Sequence, residues 1–240
     1  MGGRLKMTSN CVTRFNPTCT GALHLGHAYT LLVNQWYAKE RGGRMLVRFD
    51  DAHANKVDGA ANVPAVRDEM RRDIEWLGLD VAEWYSEAEL EPQVREQMRA
   101  RGYAGPEYID PCVTAAFISR PRGWMAYPYQ PLLSAERALL DAMMGVTHVI
   151  RGEELATDLS LHCWFCDLFG LPIPTFIYLP RLEGARGDIS KTAGGYTLAE
   201  LRANGYTPGD VRALLARGCL VNPPNGWGLE NLKAQPRVAV

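Results

Sequence analysis

The chain has 240 residues, 47% of them hydrophobic in type, and a formal net charge of -1. That length suits one large domain or one domain with appendages, and the near-neutral charge gives no global attraction to nucleic acid, so no DNA partner is expected and an RNA would need a local patch. No apolar run reaches the ~20 residues of a membrane span, and six scattered cysteines with no secretory leader at the start point to reduced thiols and a cytoplasmic protein.

Residues Asn10 to Phe15 read as a short buried strand, which Pro17 and Gly21 break. From Leu23 to Glu40 the apolar positions recur with helical spacing. The first turn of that helix carries His24-Leu25-Gly26-His27, so the two histidines share one face. Free N–H groups and the positive end of the helix dipole favour phosphate there. Gly26 has no Cβ, so a flat adenine ring can approach the backbone. Alone, two histidines three apart on a helix are more often a surface pair or a metal site than a nucleotide site. Their place after a strand, and before Gly42-Gly43 and a second strand, favours a nucleotide.

Met45 to Phe49 is a compact strand ending in Asp50-Asp51. Val63 to Leu77 is amphipathic, with Val66, Met70, Ile74 and Leu77 on one stripe and Gly78 at the expected cap. Trp84 to Gly123 reads as an irregular, charged insertion interrupted by Pro92, Pro106, Pro111 and Pro121. A helix from Ala135 to Met144, a strand from Val146 to Ile150, a helix from about Glu154 to Phe169 and a strand from Phe176 to Leu179 follow. Cys163-Trp-Phe-Cys166 lies in the apolar part of that last helix, where core packing is favoured over zinc or redox chemistry. Gly184 to Gly195 is a glycine-punctuated loop. One or two helices occupy Tyr196 to Leu220, starting at Thr197 and Thr207-Pro208. From Arg181 to Val240 there are eight Lys/Arg against five Asp/Glu, an excess that a solvated helical face explains as well as a bound polyanion. Alternating strands and helices predict an α/β fold, a parallel sheet wrapped by helices that binds ligands beyond the carboxyl ends of its strands. Arg14, Asp50 and Arg151 stand at such ends and are expected to converge.

These motifs, in this order, resemble the catalytic domain of class I aminoacyl-tRNA synthetases of the glutamyl/glutaminyl group, over roughly residues 10 to 80 and 124 to 205. Arg14-Phe15-Asn16-Pro17-Thr18-Cys19-Thr20-Gly21 resembles that group's R-F-x-P-x-P-x-G opening, and His24 to His27 its HIGH motif. Arg48-Phe49-Asp50-Asp51 is similar to the R-F-D-D of the glutaminyl and archaeal-type glutamyl branch. Gly145 to Glu154 resembles the G-V-T-H-x-x-R-x-x-E segment, and Asp188-Ile-Ser-Lys-Thr192 the KMSKS loop. The resemblance implies a Rossmann-like fold and activation of glutamate, or less readily glutamine, with ATP and Mg2+. It assigns ATP to His24, Gly26, His27, Ser190 and Lys191, of which His24, His27 and Lys191 are catalytic. It assigns the amino acid to Arg14, Asn16, Thr18, Asp50, Tyr129 and Arg151, with Arg14 at the side-chain end and Asp50 at the α-ammonium. A guanidinium suits a planar carboxylate because two parallel hydrogen bonds form. A pocket holding both Arg14 and Arg151 therefore favours glutamate. No metal ligands are assigned.

The chain departs from the pattern at Asp188, where the family has a lysine, and at Cys19, Ala52 and His53. A negative charge at Asp188, near the triphosphate path, is expected to slow the reaction. The expected division is 1–87 and 124–195 as the two halves of the catalytic domain, 88–123 as a shortened insertion, and 196–240 as a short helical region. Little chain follows Leu220, so no full anticodon-binding domain is expected. The acceptor implied is the end of a tRNA. Three alternatives stay open: a non-catalytic paralogue that binds tRNA or a protein partner, a ligase acting on a non-tRNA acceptor, and a nucleotidyltransferase of the same superfamily.

Overall fold

The computed structural model describes residues 11–52, 62–103, 130–180, 183–184, 187–188, 197–218 and 237–239. Strands β1 (Val12–Phe15), β2 (Arg44–Phe49), β3 (Val81–Ser86), β4 (His148–Gly152) and β5 (Thr175–Leu179) lie in the order β3-β2-β1-β4-β5, and all pair in parallel. The short Arg237–Ala239 strand adds antiparallel to the β5 edge. Strand order reverses between β1 and β4, which is where a doubly wound sheet opens a crevice at its carboxyl end.

Period-two alternation sends side chains to two separate cores, as a sheet covered on both faces requires. Phe15, Met45, Val47, Phe49, Ile150 and Ile177 face α1 (Leu25–Glu40), α2 (Val63–Trp76), α6 (Leu198–Ala203) and α7 (Pro208–Gly218). Val12, Leu46, Val149, Phe176 and Tyr178 face α3 (Glu87–Ala100), α4 (Gln130–Met143) and α5 (Leu159–Leu168). Arg14, Arg48 and Arg151 fall on the second face by the same alternation. Gly43 is forced by the first crossover: a Cβ there would sit 1.9 Å from the Cys11 carbonyl oxygen, which accepts from the Arg44 N–H at 2.9 Å.

Three sequence expectations change. Trp84 to Ser86 belong to β3, with Trp84 stacked on Phe49 at 5.8 Å and Arg71 over its ring. Glu87–Ala100 is a regular helix rather than an irregular stretch, because Ser86 caps it and Val94 and Met98 are buried. Pro92 lies in the second turn of α3, where it removes the N–H bond that would run to the Ala88 carbonyl, and the helix continues through it. The helix read from Glu154 begins as a 3-10 segment over Glu153–Asp158 before α5. Cys166 and Phe165 of α5 are buried core residues, as the packing reading expects. No helix among the described residues is long and apolar enough to cross a membrane.

Candidate active site

His24 is the N-cap of α1, in extended backbone, and the two histidines close a reciprocal cap. Nδ1 of His24 accepts the Gly26 N–H at 3.1 Å, and Nδ1 of His27 accepts the His24 N–H at 3.2 Å. A backbone N–H can only donate, so both Nδ1 atoms are acceptors and each neutral ring carries its proton on Nε2. Each of these two rings, whose centroids are 3.9 Å apart, thus carries one Nε2–H donor. Gly26 has a reason beyond ligand approach: a Cβ there would lie 3.0 Å from the His24 ring. The segment after the late loop is stitched to this turn. Thr197 forms an antiparallel bridge with His24, and the Leu198 N–H donates to the Leu23 carbonyl at 2.8 Å. Arg202 of α6 holds Asp73 at 2.7 Å and also binds Glu69, tying that segment to α2.

At the carboxyl ends of the strands the three arginines converge under α3, α4 and α5. Arg14 donates from Nε and Nη2 to the two carboxylate oxygens of Asp141, at 3.2 and 3.4 Å. Arg48, fully buried, donates to the same Asp141 at 2.6 Å, to Glu87 at 2.8 Å and to Asn16 Oδ1 at 3.0 Å. Burial alone would raise the Asp141 carboxyl, but Arg14 and Arg48 outweigh it and hold the group far below the usual carboxylate range. Burial pushes the Glu87 carboxyl up, against the pull of Arg48. His162 of α5 lies 3.9 Å from Asp141, and burial lowers its imidazole to about 4, so it is neutral near pH 7.

Asn16 is committed to the protein: its amide nitrogen donates to the Arg48 carbonyl at 2.9 Å and to Glu87 at 3.0 Å. Thr18 pairs with Asp50 as an isolated bridge, and its hydroxyl donates to Asp50 Oδ2 at 3.0 Å. Arg137 of α4 donates to that same oxygen at 3.0 Å. Arg151 stands apart from these ion pairs. Its Nη2 donates to the Tyr178 hydroxyl at 3.3 Å, and its guanidinium lies 5.4 Å from the Phe176 ring centre. It has no carboxylate partner among the described residues, and its buried Nε has no hydrogen-bond partner there.

Residues 10–108 and 129–222 match the family model for tRNA synthetases class I (E and Q), catalytic domain. The chain belongs to that family. Glutamate--tRNA ligase 1 of Methylorubrum extorquens (strain PA1) is 30% identical over 274 residues, covering 88% of this chain and 57% of that protein. The Glutamyl-Q tRNA(Asp) synthetase of Deinococcus radiodurans is 30% identical over 268 residues, covering 85% of this chain and 87% of that protein. The chain therefore spans little more than half of the first relative and most of the second. A crystal structure of a glutamate tRNA ligase from Elizabethkingia meningosepticum superposes with a TM-score of 0.61 at 20% identity, over 83% of this chain and 59% of that one, which supports the shared fold.

In this E/Q-type catalytic domain the structure brings Arg14, Asn16, Thr18, Asp50 and Arg151 to one end of the sheet, and His24, Gly26 and His27 to the start of α1. Ser190, Lys191 and Tyr129 lie outside the described residues, and of the late loop only the Glu183–Gly184 and Gly187–Asp188 hairpin arms are described. Sequence reasoning missed Glu87, Arg137 and Asp141. A charged residue on an otherwise apolar helix face, as at Asp141 beside Ala138, Leu139 and Leu140, is the signal that marks the last of these.

Proposed function

We propose that the chain activates glutamate with ATP to an aminoacyl adenylate and transfers it to a tRNA. The observation that carries this reading is the pair of Nε2–H donors fixed at the α1 N-terminus, beside the segment that closes the late loop. In the reaction an oxygen of the amino-acid carboxylate bonds to the α-phosphorus of ATP, the bond to the bridging oxygen breaks, and pyrophosphate leaves. Negative charge grows on phosphate oxygens, so positioned donors serve better than an acid or base. His24 and His27 supply donors on one side; Ser190 and Lys191 are assigned to the other. Loss of one such donor costs about 10²–10³ in rate.

Asp50 receives the α-ammonium and Arg151 the side-chain carboxylate, which its lack of an acidic partner among the described residues supports. Arg14 backs the side-chain end of the pocket through Asp141. Asn16 and Thr18 act as positioning residues, since their polar groups are bonded to Arg48, Glu87 and Asp50. Tyr129 is assigned to the pocket wall. Mg2+ enters as part of the MgATP substrate: imidazole nitrogens are poor ligands for so hard a cation, and phosphate oxygens are good ones.

Glutamate over glutamine follows from the surplus cation at Arg151. The 30% identity to a Glutamyl-Q tRNA(Asp) synthetase supports tRNA(Asp) as one acceptor to assay. A second reading, a non-catalytic paralogue in the cytoplasm that holds tRNA, is favoured by Asp188 in place of a lysine. Amino-acid-dependent pyrophosphate exchange decides between them, run with glutamate and glutamine, with and without tRNA, and with His27→Ala and Lys191→Ala as controls. Exchange with glutamate that both variants abolish supports catalysis. Faster exchange with glutamine defeats the specificity reading, and no exchange in any arm defeats the enzyme.

A further inference from the structure

Asp50 is fully buried, yet half of its carboxylate is unused. Thr18 and Arg137 both donate to Oδ2, while Oδ1 has no hydrogen-bond partner among the described residues. Arg137 mirrors this: its Nη2 holds Asp50, and its buried Nε has no partner among the described residues. Its side chain is 26% exposed, so the guanidinium forms a partly solvated cover over a carboxylate that solvent does not reach. Arg14 and Arg48 differ, since each is held in the protein by two or more acceptor contacts.

An ammonium at the unpartnered Oδ1 would share one carboxylate with the Arg137 guanidinium on Oδ2, and repulsion between the two cations favours moving Arg137 aside. Moving it would leave a guanidinium without its counter-ion, a cost that a nearby anion offsets. A zwitterionic ligand brings both charges at the right spacing. We infer that Arg137 is a specificity-determining residue that exchanges partners on binding: the ligand's α-ammonium takes Asp50, and the displaced guanidinium takes the α-carboxylate of the same ligand. The number of ion pairs rises from one to two. An amine without the carboxylate strands Arg137, and an acid without the amine cannot displace it. The pocket therefore selects free α-amino acids over both halves of their chemistry. This inference rests on the assignment of Asp50 to the α-ammonium made above.

Direct titration of the full chain without ATP tests it, using L-glutamate, 4-aminobutyrate (which lacks the α-carboxylate) and glutarate (which lacks the ammonium). The unmodified protein should bind glutamate at least ~10-fold tighter than either analogue, a ratio set by one charged contact. Arg137→Gln should weaken glutamate by a similar factor while 4-aminobutyrate holds steady or tightens, because the competing cation is gone. Arg137→Lys, which keeps the charge and loses the fork, should fall between the two and covers the case in which the glutamine variant does not fold. Glutamate binding that tightens or stays level in Arg137→Gln would make Arg137 a mere blocker and overturn the inference. So would equal binding of glutamate and 4-aminobutyrate by the unmodified protein, or no binding of any of the three. The binding pattern without pyrophosphate exchange would instead sink the proposed reaction and leave this exchange standing.

Discussion

Nδ1 of His27 accepts the backbone N–H of His24, so the residue that starts α1 is locked by the residue one turn into it. The same imidazoles then have two separable jobs, one on each ring nitrogen. His24→Asn tests the separation, because an amide oxygen can replace Nδ1 as a cap but offers no donor at the Nε2 position. Stability to urea should stay within about 0.5 kcal/mol of the parent, while the pyrophosphate-exchange rate falls about 10²-fold. His24→Ala should lose the same activity and about 1 kcal/mol of stability as well. Equal stability losses in the two variants would show that the cap contributes nothing.

Asp141 is the counter-ion of two buried guanidiniums, Arg14 and Arg48. Asp141→Asn keeps the shape and removes the charge, leaving both cations short of a partner in a dry site. Removing one partner of such a cluster costs about 3–5 kcal/mol. Urea unfolding should show a drop of that order, and a change under about 1 kcal/mol would mean that water reaches the cluster.

His162 sets a pH dependence whose sign can be worked out. Burial lowers its folded-state value to about 4 from an ordinary 6.5. Between those values the unfolded chain binds more protons than the folded one, so acidification through this window favours unfolding. The full effect is about 3 kcal/mol, present above pH 6.5 and lost progressively toward pH 4. Glu87, raised by burial, acts in the opposite direction, so the measurement must be a difference between proteins. The stability advantage of the parent over His162→Gln should shrink between pH 7 and pH 5. An advantage that grows on acidification would refute the assignment.

Arg202 joins α6 to Asp73 and Glu69 of α2. Burial raises the Asp73 carboxyl to about 6, with Arg202 opposing it, so the pair holds a group that would otherwise protonate readily. Arg202→Ala should cost about 1–3 kcal/mol, the range for a charge-assisted bond to a buried acceptor. Because Leu198 and Thr197 are stitched to Leu23 and His24, amide exchange should also accelerate across residues 197–203 and at the start of α1. Acceleration confined to α6 would show that the stitch holds without the clamp.

The parallel sheet and the helix-start histidines were legible because each is written in a short contiguous run. Met45 to Phe49 alternates between two apolar cores, and His24 to His27 opens a helix with its own cap. The half-exposed β3 was harder to see: Val81 to Ser86 is an edge strand whose Glu83 pairs with Arg44 in solvent, so it lacks an apolar run. The α3 helix was hidden by Pro92, although Ser86 and the buried Val94 and Met98 define it. Which residue serves as counter-ion to which could not be read. Arg14 and Asp141 are 127 positions apart, and nothing local in either segment announces the other. Asp51 shows the same limit: it sits in a recognisable motif, but its work is to accept the Ala88 N–H and the Ser86 hydroxyl at the start of α3.

Asp141 and Arg137 lie one turn apart on the same side of α4, the first locking two guanidiniums in place and the second covering Asp50. A single helical stripe thus carries both the keystone of the pocket and its most replaceable tooth. Substitutions at position 137 are therefore expected to change which ligands bind, while Asp141 keeps the two guanidiniums beneath them in place.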